Sequence, residues 1–165
     1  IRIPVGTDVF TLQFMFTLLA GLLLGPRLGA TAVTVYILLG LMGVPVFASG
    51  GGPGYILQPT FGYLLGFVVQ AWFCGWAARR GAVTFKRLLL INFGGMVIVY
   101  AFGLVWFYVI SNYVIDAPVA LYWVILYCGI LQIPPDALLC VAAAAAAKRG
   151  LSAGIWLNPP RGTGK

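Results

Sequence analysis

The chain has 165 residues, of which 62% are hydrophobic and only 8% are charged. A soluble domain of this size needs far more charge to cover its surface, so the composition indicates a protein dissolved in a bilayer. Three Asp, no Glu and no His leave little material for acid–base or metal chemistry, which argues against an enzyme, a metal site or a cofactor. The three cysteines lie in apolar runs without metal-site or disulfide spacing, and we expect them to be buried small side chains.

The apolar stretches predict an all-α membrane protein, a compact helical bundle in a single transmembrane domain over 1–165. The predicted spans are 9–24, 28–42, 63–78, 88–110 and 134–147. Several are shorter than the ~20 residues that cross the hydrocarbon core, a deficit that bundles of short helices accommodate by thinning the bilayer. The last apolar run divides at Pro134 and Pro135, because a proline pair lacks two backbone donors and is typical of a helix start. Residues 119–131 are therefore expected to form a separate, external apolar segment.

The basic residues indicate which side of the membrane each connection faces. Nine of the ten follow the first, third and fifth spans, which end on one face: Arg27, Arg79, Arg80, Lys86, Arg87, Lys148, Arg149, Arg161 and Lys165. Arg2 lies on the other face, so the positive-inside rule predicts a multi-pass protein of the plasma or inner membrane with a cytoplasmic C-terminus. This asymmetry accounts for the net charge without nucleic acid. Because residue 1 then lies outside and the chain begins without Met, we expect one further N-terminal span, six in all.

The connection between the second and third spans, residues 45–62, is rich in glycine, proline and hydrogen-bonding side chains. Irregular backbone near a membrane is tolerated where protein covers it or where it lines a cavity. Glycines let the backbone approach a ligand, and Tyr55, Thr60 and Tyr63 add polar groups. A mobile exterior loop is the alternative, but Phe47 and its apolar neighbours are too hydrophobic to extend into water. The segment is predicted to be an external lid over a binding site.

Asp136 is the one acidic residue within the predicted spans. A carboxylate at membrane depth is costly and points to function by default. The alternative is a structural role in the first turn of the last helix, where free amides and the helix dipole favour an anion. This helix starts on the outer face, so Asp136 lies beneath the predicted lid. Five aromatic residues could wall a pocket there or form an interfacial belt: Tyr100, Trp106, Tyr122, Trp123 and Tyr127.

Small residues recur at helical spacing at Gly21, Gly25 and Gly29 and in the alanine run 142–147. In lipid such residues let helices approach closely, since packing drives association there. Both tight packing within one chain and a homo-oligomer seam remain open from the spacing alone.

Several segments occur in the order that is seen in the BioY family, which this chain resembles over nearly its whole length. They are FTLQ (10–13), GLLLGPRLGA (21–30), YILLGLMGVPVF (36–47), PTFGYLLGF (59–67), VIVYAFG (97–103) and PPDALL (134–139). The resemblance implies a six-helix membrane protein that captures biotin from outside. It also implies a partner, the energy-coupling-factor (ECF) module of a transmembrane subunit and ATPases, because this chain has no nucleotide-binding motif.

The resemblance matches Asp136 to the family's aspartate at the start of the last helix, and a carboxylate suits the two N–H donors of the biotin ureido ring. The family often places Lys one turn later, where this chain has Leu139, so the biotin carboxylate lacks an obvious cation. The predicted substrate-binding residues are Gln13, Phe47, Gly51, Gly52, Tyr55, Thr60, Tyr63, Tyr100, Asp136 and Leu139.

Three other functions are compatible with parts of this pattern. A substrate-binding component for another small vitamin, such as thiamine or riboflavin, would share the architecture. A structural or assembly subunit of a membrane complex would explain the glycine and alanine faces. A membrane enzyme using Asp136 is disfavoured, because no second acid, histidine or metal cluster accompanies it.

Overall fold

The computed structural model describes residues 7–47, 50–115 and 120–156. Its α-helices are α1 (Thr7–Leu24), α2 (Pro26–Leu41), α3 (Phe61–Ala78), α4 (Phe85–Tyr113), α5 (Leu121–Cys128) and α6 (Ile133–Ser152), and 3₁₀ turns cover Pro53–Leu57 and Ile130–Gln132. The described part contains no β-strand, only an isolated bridge between Phe47 and Gly50. The predicted all-α fold is confirmed.

The helix ends follow local signals in the sequence. Thr84 precedes α4, and its Oγ1 accepts a hydrogen bond of 3.4 Å from the backbone N–H of Arg87, so the helix starts three residues before the predicted span. Pro134 and Pro135 lie in the first turn of α6, where missing donors cost nothing. Within the described residues, α3, α4 and the run through α5 and α6 are long and apolar enough to cross a membrane, whereas α1 and α2 are shorter apolar helices.

Glycines let α1 and α3 pack with their backbones in contact. A Cβ at Gly21 would lie 2.8 Å from the Cα of Ala71, and one at Gly75 would lie 2.6 Å from the carbonyl oxygen of Gly21. Gly29 of α2 is equally close to the backbone of α1, with 2.8 Å to the carbonyl oxygen of Ala20. These glycines therefore serve packing inside one chain, as one of the two interpretations of their spacing predicts.

Arg79 ties three helices together at the end of the bundle where α1 turns into α2. Its guanidinium donates hydrogen bonds to the carbonyl oxygens of Gly75 (2.9 Å) and Leu22 (3.3 Å). It also lies 5.6 Å from the ring centre of Trp156, whose Nε1 donates to the carbonyl of Ala147 on α6 at 2.8 Å. The described basic residues all lie at this end; Arg2, Arg161 and Lys165 fall outside the described residues.

Buried polar side chains link the helices deeper in the bundle. Thr17 of α1 and Gln70 of α3 are 2.9 Å apart between Oγ1 and Oε1, and Asn92 of α4 donates from Nδ2 to the carbonyl of Cys140 on α6 at 2.9 Å. All are buried. Hydrogen bonds of this kind give helices a register that apolar contact in lipid does not supply.

We predict that Gly21→Ala destabilises the protein, because its added methyl group meets backbone that cannot move aside. Overpacking of this kind costs about 1–3 kcal/mol, so the thermal midpoint in detergent should fall. Gly94→Ala is the control: a Cβ there would meet only the Phe73 ring, at 3.1 Å, and a side chain can give way. Equal midpoints for the two variants would contradict the close approach of α1 and α3.

Candidate functional site

Asp136 is buried in the first turn of α6, with 4% of its surface exposed. Its Oδ2 accepts a hydrogen bond of 2.6 Å from the hydroxyl of Tyr100 on α4. Its Oδ1 is also buried and has no hydrogen-bonding partner among the described residues. The bonded oxygen thus faces a neighbouring helix, while Asp136 keeps the first-turn position that a role in stabilising the helix start requires. A buried acceptor without a donor is costly, so this oxygen is suited to accept a donor from a ligand.

Aromatic and apolar side chains pack between α3, α4 and α5. Tyr63 of α3 packs its ring on Gly103 of α4, where a Cβ would lie 2.5 Å from Cζ of the ring. On the next turn of α4, Phe107 packs with Val124 of α5 and with Tyr63. Thr60 precedes α3, and its carbonyl oxygen accepts a hydrogen bond of 3.2 Å from the backbone N–H of Tyr63. The Thr60 side chain makes no capping hydrogen bond. The short helix α5 therefore covers the bundle beside Tyr63.

The loop between α2 and α3 is folded onto α2 over its described part. Phe47 and Tyr55 are each 5% exposed, and their ring centres are 4.4 Å apart. Phe47 also packs edge-on against Tyr36 at 5.7 Å and lies against Gly40, where a Cβ would overlap its ring. This aromatic stack favours a folded segment over a mobile loop. Residues 48 and 49 of the predicted lid lie outside the described residues.

Gly51 and Gly52 let the loop backbone dock on the end of α2. A Cβ at Gly51 would lie 2.9 Å from the carbonyl oxygen of Gly40 and would collide with that of Val44. The amide of Gly52 donates to the same Gly40 oxygen at 2.7 Å, and its φ of +117° is a conformation that favours glycine. Both residues were predicted to approach a ligand; the contacts described here are to α2.

A chain of hydrogen bonds joins α1, α2 and the loop. Gln13 donates from Nε2 to the hydroxyl of Tyr36, and this hydroxyl donates to the carbonyl oxygen of Val46 at 2.8 Å. Oε1 of Gln13 is buried and has no partner among the described residues. Tyr36 could not be singled out from the sequence, since a tyrosine in an apolar helix shows the same local pattern whether or not its hydroxyl is bonded.

Contacts between helices bring Gln13 and Tyr100 to a similar depth in the bundle. Phe14 follows Gln13 and meets Phe67 of α3, with ring centres 6.5 Å apart. Gly66, the residue before Phe67, packs on Val99 of α4. A Cβ at Gly66 would lie 2.9 Å from the Cα of Val99. Asp136 joins this level through Tyr100. Among the described residues, three buried side-chain acceptors have no hydrogen-bonding partner: Oε1 of Gln13, Oδ1 of Asp136 and Oδ1 of Asn92. The first two lie near this level of the bundle.

The remaining predicted residues are either partly buried in the bundle or exposed on α5. Leu139 is half-buried against the core one turn after Asp136, and no described cation lies at this end of the bundle. Trp106 packs on Phe61 with ring centres 5.6 Å apart, and its buried Nε1 has no partner among the described residues. In contrast, the α5 aromatics are exposed, as expected for belt residues: Tyr122, Trp123 and Tyr127.

These groups are suited to ligand binding rather than to catalysis. Among the described residues, Asp136 Oδ1, Gln13 Oε1 and Asn92 Oδ1 are buried acceptors without a partner, and Trp106 Nε1, Gln70 Nε2 and Arg79 Nε are buried donors without one. The described residues contain no group of three His, Cys, Asp or Glu that could hold a metal.

Comparisons with known proteins agree with this description. The model of the BioY family matches residues 1–154. A probable biotin transporter BioY of Lysinibacillus sphaericus is 41% identical over 150 residues, which cover 90% of this chain and 76% of that protein. The biotin transporter BioY of Thermotoga maritima is 41% identical over 117 residues, 70% of this chain and 67% of that protein. For the probable biotin transporter BioY of Pyrococcus horikoshii, which is 38% identical, the matched part is 62% of that protein, under two thirds of its length.

A solved structure shares the fold. It is the crystal structure of the S-component for biotin from an ECF-type ABC transporter, with a TM-score of 0.73 and 24% identity, over 86% of this chain and 74% of that one. The helical bundle thus defines the class, an all-α membrane protein. Within this class, the chain belongs to the BioY family.

We predict that Gly51→Ala undocks the loop from α2, because its methyl group would collide with the carbonyl of Val44. Hydrogen exchange of the backbone amides of residues 50–57 should become faster than in the wild type. Gly54→Ala is the matched control in the same loop, since a Cβ at Gly54 has open space within 4 Å. If Gly51→Ala and Gly54→Ala exchange alike, the docking described here does not hold the loop.

Proposed function

We propose that this protein captures biotin at the loop-bearing end of the bundle and serves in its uptake as the substrate-specific component of a transporter. It is a transport protein and not an enzyme, as the family to which it belongs indicates. Relatives named as biotin transporters support the substrate. The observation that carries the proposal is the buried, unpaired Oδ1 of Asp136.

The ureido ring of biotin presents two N–H donors and one carbonyl acceptor. Asp136 is buried, with one oxygen already bonded to Tyr100, so the carboxylate is fixed before a ligand arrives. A charge-assisted bond from a ureido N–H to Oδ1 is among the stronger hydrogen bonds, and apolar surroundings strengthen it further. Because the ligand supplies the donor that Oδ1 lacks, binding removes the cost of an unpaired buried acceptor.

The apolar parts of biotin, a sulfur-containing ring and a valerate chain, require apolar walls. Tyr100, which bonds Asp136, and Leu139, one turn after it, would supply such surface, with Tyr63 packed on Gly103 one turn along α4 from Tyr100. The packed rings of Phe47 and Tyr55, tilted by 41° to each other, give the loop an apolar surface, which suits a cover over the site. The indole N–H of Trp106 is a donor available to an oxygen of the ligand. With no described cation at this end, water or backbone amides would receive the biotin carboxylate.

The charge distribution and the absence of a nucleotide-binding motif bear on membrane orientation and partners. Basic residues cluster at the end where α1 turns into α2 and α3 into α4, which supports a cytoplasmic location for that end and for the C-terminus. The protein would then lie in the plasma or inner membrane, with the loop outside. Because the chain has no nucleotide-binding motif, energy for uptake would come from an ECF coupling module with its ATPases.

The alternatives are weaker on specific observations. The closely packed glycines contact helices of the same chain, which removes the main reason to expect an assembly subunit. A different small vitamin would match the site less well, because the site suits a ring with two N–H donors. Saturable binding of radiolabelled biotin, but of neither thiamine nor riboflavin, separates these functions.

We predict that Asp136→Asn weakens biotin binding roughly 30- to 1,000-fold, because the amide loses the charge and can place a donor against a donor. Leu139→Lys should favour biotin over biotinamide, since it places a cation one turn from Asp136. The wild type should discriminate little between the two. Titration of both ligands against the three proteins is the measurement, and Tyr122→Phe on exposed α5 is the control.

Two results of these titrations would count against the proposal. Unchanged affinity in Asp136→Asn would return Asp136 to a structural role in the first turn of α6. Strong wild-type discrimination against biotinamide would mean that a cation binds the carboxylate at this site.

We predict that a cysteine at Gln58 is labelled by an impermeant thiol reagent only from outside and one at Ser152 only from inside. Both positions are exposed, and the native cysteines are first replaced by alanine. Labelling of Gln58→Cys and Ser152→Cys from the same side of sealed vesicles would refute the topology.

A further inference from the structure

We infer that Tyr36 is a positioning residue for the ligand: its hydroxyl orients the Gln13 amide so that Oε1 is the free acceptor. Because the same hydroxyl donates to the carbonyl of Val46 in the loop, this orientation of Gln13 depends on the loop being docked on α2. The inference rests on the proposed function, and it gives a role to a side chain that lies outside the predicted site. Its basis is the hydrogen-bond chain from Gln13 through Tyr36 to Val46.

The direction of each bond follows from the protons available. The carbonyl oxygen of Val46 can only accept, so the hydroxyl of Tyr36 gives it its single proton, over 2.8 Å. The hydroxyl then has lone pairs left and can only accept from Gln13. An amide accepts through its oxygen and donates through its nitrogen, so Nε2 must face Tyr36. Oε1, buried and unpaired, is left for another donor.

The loop holds this arrangement in place through Val46. If the loop left α2, the Tyr36 proton would lose its acceptor, and Oε1 of Gln13 would be the nearest substitute after rotation of the amide. Gln13 would then no longer offer a free oxygen. A docked loop therefore prepares the acceptor, and an undocked loop removes it, so that closure of the loop and ligand binding favour each other.

Two acceptors at a similar depth match a ligand that has two N–H donors. Asp136 supplies Oδ1 from α6 and Gln13 supplies Oε1 from α1, and each is buried without a partner among the described residues. A cyclic urea has two N–H groups, whereas a ring with one N–H would leave one of these oxygens unpaired. An unpaired buried acceptor is penalised, so this pair of acceptors favours a urea. Oδ1 of Asn92, which also lacks a partner among the described residues, lies two turns before Tyr100 on α4, nearer the basic end of the bundle.

The test compares biotin binding by Tyr36→Phe, Gln13→Met and the double variant. Tyr36→Phe keeps the ring that packs on Phe47 and removes only the hydroxyl. Each single variant should bind about 5- to 30-fold more weakly than the wild type, as expected for loss of one buried hydrogen bond. Because Tyr36 acts through Gln13, the double variant should bind no more weakly than Gln13→Met. Tyr122→Phe is the control for removal of a tyrosine hydroxyl and should bind as the wild type does.

A second measurement tests the link to the loop independently of Tyr36→Phe. In Gln13→Glu an ionised carboxylate can only accept, so at pH values where it is ionised Tyr36 cannot satisfy both it and Val46. Hydrogen exchange of residues 50–57 should become faster in Gln13→Glu than in Gln13→Met, and the dissociation rate of biotin should rise. Purely structural roles for these residues would predict similar loop exchange from two substitutions of similar size at one position.

The outcomes separate this inference from the proposed function. A wild-type protein that binds no biotin would refute the proposed function itself. Normal wild-type binding with additive effects of Tyr36→Phe and Gln13→Met would refute the role of Tyr36 alone. Wild-type affinity in Tyr36→Phe, or equal loop exchange in Gln13→Glu and Gln13→Met, would overturn it as well.

Discussion

The hydrogen bond between Tyr100 and Asp136 is the interaction on which the site depends. A carboxylate at membrane depth is tolerated only where polar partners replace water. The Tyr100 hydroxyl provides one such partner at 2.6 Å and fixes the carboxylate between α4 and α6. Among the described residues the second oxygen has no partner, and the proposed role for it is to accept a donor from the ligand.

Small residues make this arrangement possible because lipid gives little drive for helices to associate. Where Gly21 meets Ala71 and Gly66 meets Val99, backbones approach closely enough for short side chains to meet across helices. The same property lets the loop lie on α2, since Gly51 contacts Gly40 directly. Close backbone contacts therefore pack the bundle, dock the loop on α2 and hold Gln13 and Asp136 at a similar depth.

Much of the fold was predictable from local features of the sequence. Apolar runs marked the helices, the pair Pro134 and Pro135 marked the start of α6, and an acid amid apolar residues marked Asp136. What escaped prediction depends on register between helices, which no local pattern encodes. Thr17 pairs with Gln70 across 53 positions, and Gln13 with Tyr36 across 23. For the same reason, the partner of Asp136 became evident only once α4 and α6 were placed side by side.

The central claim is that Oδ1 of Asp136 accepts a hydrogen bond from the ureido ring of biotin. A structure of the protein with biotin bound tests it most directly. The claim predicts a ureido nitrogen about 2.7–3.2 Å from Oδ1, with the Tyr100 bond to Oδ2 retained and the loop docked on α2. Biotin bound elsewhere, or bound here with its ureido ring turned away and Oδ1 still unpaired, would contradict it.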